Sequence, residues 1–210
     1  MNIHIPGRKP GAMTSATSSA EPGPDTDWRN NLPVLTGEKV TLRELTNTDA
    51  ATLYAAVTTP EAKRFMWAPP PNVVALERFI EWTHAERKAG KYVCYGIVPE
   101  GKADAWGIFE LRSLQPGFVR GELGFVIAQS LWGTGLFYEA AQLLLGFAFD
   151  VANAHRIEAR VAVDNDRSNA ALKKLGANQE GTLKHAFWRE DHFVDQYLWA
   201  LLDSEWHDSH

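Results

Sequence analysis

The segment from Glu122 to Asp150 constrains the fold more than any other part of the chain. It reads ELGFVIAQSLWGTGLFYEAAQLLLGFAFD, a strand pattern, a loop, and then a helix that is apolar nearly all round. A helix of that composition is buried. A second strand pattern, residues 155–165, follows directly, with apolar residues at every second position. Because a helical crossover joins the two strands, they must run parallel in one sheet.

Further strand and helix patterns surround this unit. Short turns join consecutive strands, which therefore pair antiparallel. One helix pattern opens with Thr46 and Asp49, which resemble a capping box. A second begins near Pro71 and stops at Gly90. The patterns predict strands at 39–45, 92–98, 105–114 and 120–128, helices at 46–57, 71–90 and 167–176, and a final hairpin around residues 191–192. The expected fold class is α+β, with a mixed, mostly antiparallel sheet and helices on both faces.

Composition separates a tail from one domain. Residues 1–33 are rich in Pro, Gly, Ser, Thr and Ala without periodicity, so we predict a disordered tail followed by a domain at 34–207. The net charge is −5 and no basic run stands out, which argues against a nucleic-acid partner. No apolar run reaches the roughly 18 residues of a membrane span. Cys94 is the single cysteine, and the sequence lacks the apolar core of a secretory signal, so we expect a cytoplasmic protein.

Two glycines, Gly133 and Gly135, stand where the central strand ends and the buried helix begins. A helix that follows a strand directly points free backbone N–H groups beyond the strand end, where they form an anion site. The dinucleotide fingerprint requires a third small residue where Tyr138 stands, and the Gly-Lys-Ser/Thr of a Walker loop is absent. The glycines therefore indicate either another kind of phosphate loop or simply a tight strand–helix turn.

The chain from about Gly37 to Trp206 resembles the GCN5-related N-acetyltransferase (GNAT) superfamily, and within it the RimJ/RimL-like branch. The motifs of that branch are a Glu-Leu-Gly strand, a Trp-Gly-x-Gly turn, Glu-Ala in the helix, Asn-x-x-Ser and Lys-Leu-Gly. They occur here in order and at the right separation, at Glu122–Gly124, Trp132–Gly135, Glu139–Ala140, Asn165–Ser168 and Lys174–Gly176.

The resemblance implies an acetyl-CoA site and no metal. The diphosphate would lie on the backbone of a loop made of Trp132, Gly133, Thr134, Gly135, Leu136 and Phe137. The pantetheine arm would pair with the strand residues Phe125, Val126 and Ile127, in a cleft where this strand splays from its parallel neighbour, and Asn165 would bond the arm near the thioester. The chain departs from common family patterns at Phe137, Tyr138, Leu172 and Ala177, and the aromatic residues of the loop could narrow the groove.

Catalysis requires help for the attacking amine and for the leaving thiolate. Glu122 is the first candidate for the general base, and its alternative role is an ion pair with Arg43 or Arg112. Ser168 is expected to contact the cofactor and is also the candidate acid, because the tyrosine that often serves as the acid in the superfamily is replaced by Leu172 here. A base proposed in relatives corresponds to Phe187 here, which leaves His185, Glu190 and Asp195 as substitutes. Trp67 and His185, with Glu122, are expected to contact the acceptor.

We therefore expect an acetyl-CoA-dependent N-acetyltransferase that acts directly on a primary amine, either a protein N-terminus or a small molecule. The partners would be acetyl-CoA and that amine, and the protein would be a monomer or a homodimer. Two alternatives stay open, a non-catalytic acyl-CoA sensor and an enzyme that uses a longer acyl-CoA. The histidines show no metal-ligand spacing.

Overall fold

The parallel strand pair expected from the sequence lies inside an eight-stranded sheet. The computed structural model describes residues 27–66, 68–189 and 191–209. The sheet order is β1-β2-β3-β4-β5-β6-β8-β7, with β5 and β6 parallel and every other neighbouring pair antiparallel. The strands are β1 (Leu35–Thr36), β2 (Val40–Glu44), β3 (Tyr92–Pro99), β4 (Gly107–Ser113), β5 (Arg120–Ile127), β6 (Arg156–Ala162), β7 (Asn178–Arg189) and β8 (His192–Leu202). The predicted α+β class is confirmed.

Helices cover both faces of this sheet. They are α1 (Ala50–Val57), α2 (Pro60–Lys63), α3 (Val73–Lys88), α4 (Leu136–Gly146), α5 (Asp166–Lys174) and α6 (Asp203–Ser209). Trp82 of α3 packs against Tyr92, whereas Phe147 at the end of α4 packs against Tyr95. Because residues three apart on a strand point to opposite faces, α3 and α4 lie on opposite sides, which we call the α3 face and the α4 face.

Local sequence explains where these helices begin and end. Asn72 caps α3 through its Oδ1, which accepts from the Ala75 N–H at 2.8 Å, and the chain leaves α3 through Gly90 at φ +69°. The predicted helix at 46–57 starts as a 3-10 turn at Asn47–Asp49 and continues as α1. Asp49 accepts from the Thr46 N–H at 2.8 Å, as expected in a capping box. Sequence patterns did not predict the short elements β1, α2 and α6.

Residues 27–33 differ from the tail that the composition predicted. Trp28 and Leu32 are each 4% exposed and belong to the main hydrophobic core. The Trp28 ring meets Phe118 edge-on at 5.4 Å, and the Arg87 guanidinium binds the Trp28 carbonyl oxygen at 3.3 Å. The packed domain therefore includes residues before position 34, because one buried tryptophan anchors a segment that is otherwise polar. Residues 1–26 of the predicted tail lie outside the described residues.

Candidate active site

The central feature of the site is a split in the sheet between β5 and β6. The two strands pair only at Arg120–Arg156, Gly121–Ile157 and Glu122–Glu158. Beyond Glu122 the strand β5 continues for five residues, paired with β4 alone. Among the described residues, one edge of β5 has no strand partner along the whole length of the split.

Specific backbone groups of β5 face this split. The Ala128 N–H donates to the Trp106 carbonyl oxygen at 2.8 Å on the β4 side. Because backbone groups alternate in direction along a strand, those of Val126 and Gly124 also point toward β4, and those of Phe125 and Ile127 point into the split. The Ile127 carbonyl there accepts from the Trp132 indole N–H at 3.1 Å. The sequence analysis expected Phe125, Val126 and Ile127 alike to pair with the cofactor, but of these three only Phe125 and Ile127 direct their backbone groups into the split.

The glycine loop follows at the open end of the split. Gly133 and Gly135 have φ of +75° and +84°, the left-handed region that side chains disfavour. A Cβ at either glycine would meet no atom within 4 Å, so the loop backbone faces open space. In the described residues, the N–H groups of Gly133, Thr134 and Gly135 have no hydrogen-bond acceptor. The glycines thus satisfy the geometry of a tight turn and also leave free donors at the start of α4, and the phosphate loop stays a prediction.

A cavity of about 330 Å³ occupies the split. Nine of the residues expected at the cofactor line it, namely Phe125, Val126, Ile127, Trp132, Gly133, Gly135, Phe137, Asn165 and Ser168. Thr134 and Leu136 are absent from its described lining. The Thr134 hydroxyl instead donates to the Leu131 carbonyl oxygen at 2.8 Å and Leu136 is buried, so both side chains stabilise the loop.

Two cationic side chains that the sequence analysis did not assign to the site flank the cavity. The Arg167 guanidinium lies 3.7 Å from the centre of the Trp132 ring, and Lys174 Nζ lies 4.6 Å from the centre of the Tyr138 ring. Both residues line the cavity. They lie seven residues apart on α5 and therefore share one helix face, a spacing that was visible in the sequence. They place positive charge on the wall beside the free loop amides.

Asn165 and Ser168 form the start of α5 at the cavity wall. Asn165 Oδ1 accepts from the Ser168 N–H at 3.3 Å and caps the helix. Each residue is 7% exposed. The capping bond leaves the Ser168 hydroxyl and the Asn165 side-chain NH₂ without a partner in the described part of the chain. Both polar groups can therefore bond a ligand in the cavity.

The aromatic residues at 137 and 138 do not close the groove. Phe137 packs on Phe125 at 4.7 Å and on Phe109 at 5.5 Å, so its ring completes the packing of the α4 face. Tyr138 lies beneath Lys174 and lines the cavity from the side. The bulk at these positions forms walls, and the space between them remains open.

Glu122 lies at the point where the strands separate, but it does not line the cavity. Its carboxylate forms ion pairs with Arg112 and with Arg160, one to each oxygen. The residue is 7% exposed. The structure thus shows the Arg112 ion pair that the sequence left open, adds Arg160, and pairs Arg43 with Asp49 instead. Both carboxylate oxygens face guanidinium groups, an arrangement that joins β4, β5 and β6.

The expected acceptor residues are not gathered at the cavity. His185 is exposed in a bulge of β7 at φ +53°, its N–H donates to Asp195 Oδ1 at 2.8 Å, and it does not line the cavity. Trp67 and the alternative base Glu190 lie outside the described residues. Another wall of the cavity consists of Glu61, Ala62, Phe65 and Met66, in and after α2.

An ionic clamp holds that wall over the split. Asp164 Oδ2 accepts from Arg64 at 3.1 Å and from Arg189 at 2.8 Å. Both guanidinium groups lie near the Phe65 ring, at 5.2 Å and 5.7 Å from its centre. The Arg189 hydrogen bond, followed by that of Arg64, holds the pKa of Asp164 below its usual range. The clamp connects the segment after α2 to the loop that carries Asn165.

A buried carboxyl lies beside the base of the split. Glu110 of β4 pairs in register with Gly124, where a Cβ would overlap the Glu110 carboxyl. The Tyr92 hydroxyl donates to it. Burial raises the pKa of Glu110 to about 8, so the group is mostly neutral at pH 7. Gly124, a residue of the recognised Glu-Leu-Gly strand, is therefore required for close packing.

The described residues contain no group of three or more His, Cys, Asp or Glu side chains that could hold a metal ion. None of their helices is long and apolar enough to span a membrane.

Comparison with known proteins gives the family. The family described as acetyltransferase (GNAT) domain matches residues 39–178, about two thirds of the chain. The chain is 27% identical over 170 residues to the uncharacterized N-acetyltransferase p20 of Bacillus licheniformis, covering 80% of this chain and 96% of that protein. It is 28% identical over 120 residues to the [ribosomal protein uS5]-alanine N-acetyltransferase of Escherichia coli (strain K12), covering 57% of this chain and 62% of that protein.

A solved structure has the same fold. Mycobacterium smegmatis RimJ in complex with CoA-disulfide superposes with a TM-score of 0.72 at 23% identity, covering 79% of this chain and 83% of that one. The sequence motifs, the split sheet and the family match agree with one another. The chain is an N-acetyltransferase that belongs to the GNAT superfamily, in its RimJ/RimL-like branch.

Proposed function

We propose that this enzyme transfers the acetyl group of acetyl-CoA directly to a primary amine, either the N-terminus of a protein or an amine of a small molecule. The observation that supports this most is the cavity in the split between β5 and β6, with unpaired amides at one end and a free strand edge along its side. Acetyl-CoA has a matching sequence of chemical groups, a diphosphate, an amide-bearing arm and a thioester.

The diphosphate fits the loop at the start of α4. Free N–H groups of Gly133, Thr134 and Gly135 and the positive end of the α4 dipole favour an anion there. Arg167 and Lys174 add charge on the facing wall. Neither Arg167 nor Lys174 forms an ion pair within the described residues, so both can pair with phosphate.

The pantetheine arm fits the free edge of β5. Its two amides would bond the backbone groups of Phe125 and Ile127 that point into the split, as an added strand does. The Ile127 carbonyl already accepts from Trp132, so the Ile127 N–H and the Phe125 carbonyl remain for the arm, and the Phe125 N–H stays available for the thioester. Asn165 on the facing wall would bond the arm through its side-chain NH₂.

Transfer requires a neutral amine and a stabilised leaving thiolate. An α-amino group, with a pKa near 8, is partly neutral at pH 7, whereas a lysine amine, near 10.4, needs more help. Glu61 is the one carboxylate among the described residues that line the cavity, and it can accept the proton from the incoming amine. The Phe125 N–H would stabilise the oxyanion. The Ser168 hydroxyl would hydrogen-bond the departing thiolate, and the proton lost by the amine balances the proton gained by the CoA thiol.

The test is a thiol-release assay on the full chain with acetyl-CoA and a panel of N-terminal peptides, amino-acid amides, polyamines and aminoglycosides. We expect free CoA to appear in step with acetylated amine for at least one class of acceptor. Calorimetry with acetyl-CoA supplies the binding control. Binding without release for every amine would indicate a sensor, and faster turnover with succinyl-CoA would indicate a longer acyl donor; either result refutes the proposal as stated.

A further inference from the structure

A second groove lies beside α3, at the far end of the sheet from the glycine loop. Its volume is about 610 Å³, and it is bounded by the end of α3, the start of β3 and the segment that joins β4 to β5. None of the residues described in its lining also lines the cavity in the split. The length of β5, roughly 23 Å at about 3.3 Å per residue, separates the two sites. We call this second site the distal groove.

Positive charge dominates the lining of the distal groove. Arg29, Lys91 and Arg112 line it, and Glu86 is the one carboxylate in its described lining. The whole chain carries a net charge of −5, so this positive excess is local. Charges of one sign gathered around a concave surface raise the local concentration of ions of the opposite sign. The distal groove therefore favours an anionic ligand.

These cations have donors that are free to bind a ligand. Lys91 is exposed and forms no ion pair within the described residues. Arg29 pairs with the exposed Asp27 at the long distance of 3.9 Å. Arg112 pairs with Glu122 through its Nη2, and its side chain is 48% exposed. A guanidinium has five N–H donors, so Arg112 can bond Glu122 and a ligand together.

Local packing holds these cations around the groove. A Cβ at Gly90 would come within 2.8 Å of Arg29 Nε, so the glycine makes room for that side chain. The Arg29 guanidinium lies 4.8 Å from the centre of the buried Trp28 ring. The Lys91 carbonyl oxygen accepts from the Ser113 N–H at 2.9 Å, which fixes the backbone of Lys91 against β4. The positive charges are therefore in place before a ligand enters.

An aromatic surface lies between these charges. Trp82 is half-buried and lines the groove, and its ring meets Tyr92 edge-on at 4.9 Å and stacks on Phe79 at 6.0 Å. Tyr92 lies directly opposite Arg112 in the register of β3 and β4, so a cation adjoins the rings. A flat ring placed on Trp82 gains stacking in addition to apolar burial. The groove thus suits a ligand that has an aromatic ring beside its anionic group.

The end of α3 distinguishes between kinds of anion. The last carbonyl groups of a helix carry partial negative charge. Ala89 and Gly90, which follow α3, line the groove together with Glu86. These groups repel a phosphate dianion more strongly than a carboxylate, which has one negative charge. Arginine also binds a carboxylate through two parallel hydrogen bonds, so a monocarboxylate fits this groove better than a phosphate.

We propose that the distal groove is a binding site for an aromatic monocarboxylate, with the ring on Trp82 and the carboxylate between Lys91 and Arg112. The site is separate from the cavity in the split, and its occupation does not depend on the proposed acetyl transfer.

The test is calorimetry on the full-length protein with phenylacetate as the probe. The matched ligands are 2-phenylethanol, which keeps the ring without the charge, acetate, which keeps the charge without the ring, and phenyl phosphate, which is mostly a dianion. We expect one-to-one binding of phenylacetate, about tenfold or more tighter than that of any matched ligand, since ring and charge contribute together. Saturating CoA should change the affinity for phenylacetate by less than about twofold, because ligands at independent sites do not alter each other's affinity.

Charge variants locate the probe. Lys91→Glu should weaken phenylacetate binding by about tenfold or more, and Lys91→Gln should weaken it by a smaller factor. Lys88→Glu is the matched control, because Lys88 is an exposed lysine at the end of α3 outside the described lining, and its affinity should stay close to that of wild type.

Several results would overturn the proposal. These are no detectable binding at millimolar phenylacetate, equal or tighter binding of phenyl phosphate, and displacement of phenylacetate by CoA. An unchanged affinity in both Lys91 variants would place the probe elsewhere, and an equal loss in Lys88→Glu would indicate unspecific attraction of anions; each also overturns it. None of these results bears on the thiol-release assay, so a failure here leaves the proposed function intact.

Discussion

Replacing Glu122 by glutamine separates two roles for the same carboxylate. As a general base, Glu122 would remove a proton from the amine. As a structural link, it joins Arg112 of β4 and Arg160 of β6 at the point where the split begins. Glutamine keeps the shape and one acceptor oxygen but removes the charge. The structure favours the structural role, because both oxygens face guanidinium groups and the residue is outside the cavity lining.

The expected sizes of the two effects differ strongly. Loss of a general base slows turnover by about two to four orders of magnitude. Loss of a largely buried carboxylate charge that pairs with two arginines lowers the free energy of unfolding by about 2–4 kcal/mol. This range is below that of a fully buried ion pair, because the Arg112 side chain is 48% exposed and can be solvated again. For a domain of this size, about 2–4 °C per kcal/mol gives a fall in melting temperature of about 4–16 °C.

Thermal unfolding and the pH profile of kcat/KM distinguish these outcomes. We expect Glu122→Gln to lose stability, to keep its turnover rate within about tenfold of wild type, and to keep the same pH profile. Glu158→Gln is the matched control, because Glu158 lies opposite Glu122 in the register, is 2% exposed and is also paired with arginines. A hundredfold or greater loss of turnover in Glu122→Gln alone, with a flattened pH profile, would refute the structural role.

Three further predictions concern the loop, the acid and the buried carboxyl. Gly135→Ala should weaken acetyl-CoA binding in calorimetry by about tenfold, because a side chain at φ +84° costs about 1–2 kcal/mol and the added methyl group occupies open space at the loop. The control is Gly101→Ala, at φ +73° in a distant turn, which introduces the same backbone strain and should leave the affinity unchanged. Ser168→Ala should slow turnover by about tenfold or more while the acetyl-CoA affinity stays within about twofold of wild type. If the variant and the wild type turn over at the same rate, Ser168 has no role in catalysis. Glu110→Gln should gain stability relative to wild type as the pH rises. Burial raises the pKa of Glu110 from 4.5 to about 8, so the stability that this carboxyl contributes below pH 4.5 is lost as the pH rises through 8. If the melting temperatures of the two proteins change in parallel across pH 4–9, this prediction is wrong.

The sequence alone determined the architecture around the split. The apolar helix between two strand patterns required a parallel pair, and β5, α4 and β6 form it. The glycine loop was recognised from its place between a strand and a helix, because turn geometry depends on neighbouring residues. The cofactor roles of the strand residues, Asn165 and Ser168 were taken from the family resemblance, and nine of the expected cofactor residues line one cavity.

Contacts between residues distant in sequence could not be read in this way. Trp28 lies in a polar segment that composition assigned to the tail, yet it packs on Phe118, ninety residues away. The pairing of Glu122 with Arg112 and Arg160 depends on which strands are neighbours and on the register between them. A one-residue shift of β6 would turn Arg160 to the other face and leave the carboxylate buried with one partner fewer.

One wall of the cavity depends entirely on contacts of this second kind. Phe65, after α2, lies beside Arg64 and Arg189, and both arginines pair with Asp164, before α5. No local pattern connects residues separated by more than a hundred positions. Hydrophobic periodicity and turn chemistry act over a few residues, so they predicted the strands, the parallel pair and the glycine loop. Burial and charge pairing act through space and were decided only when the sheet had brought its strands together.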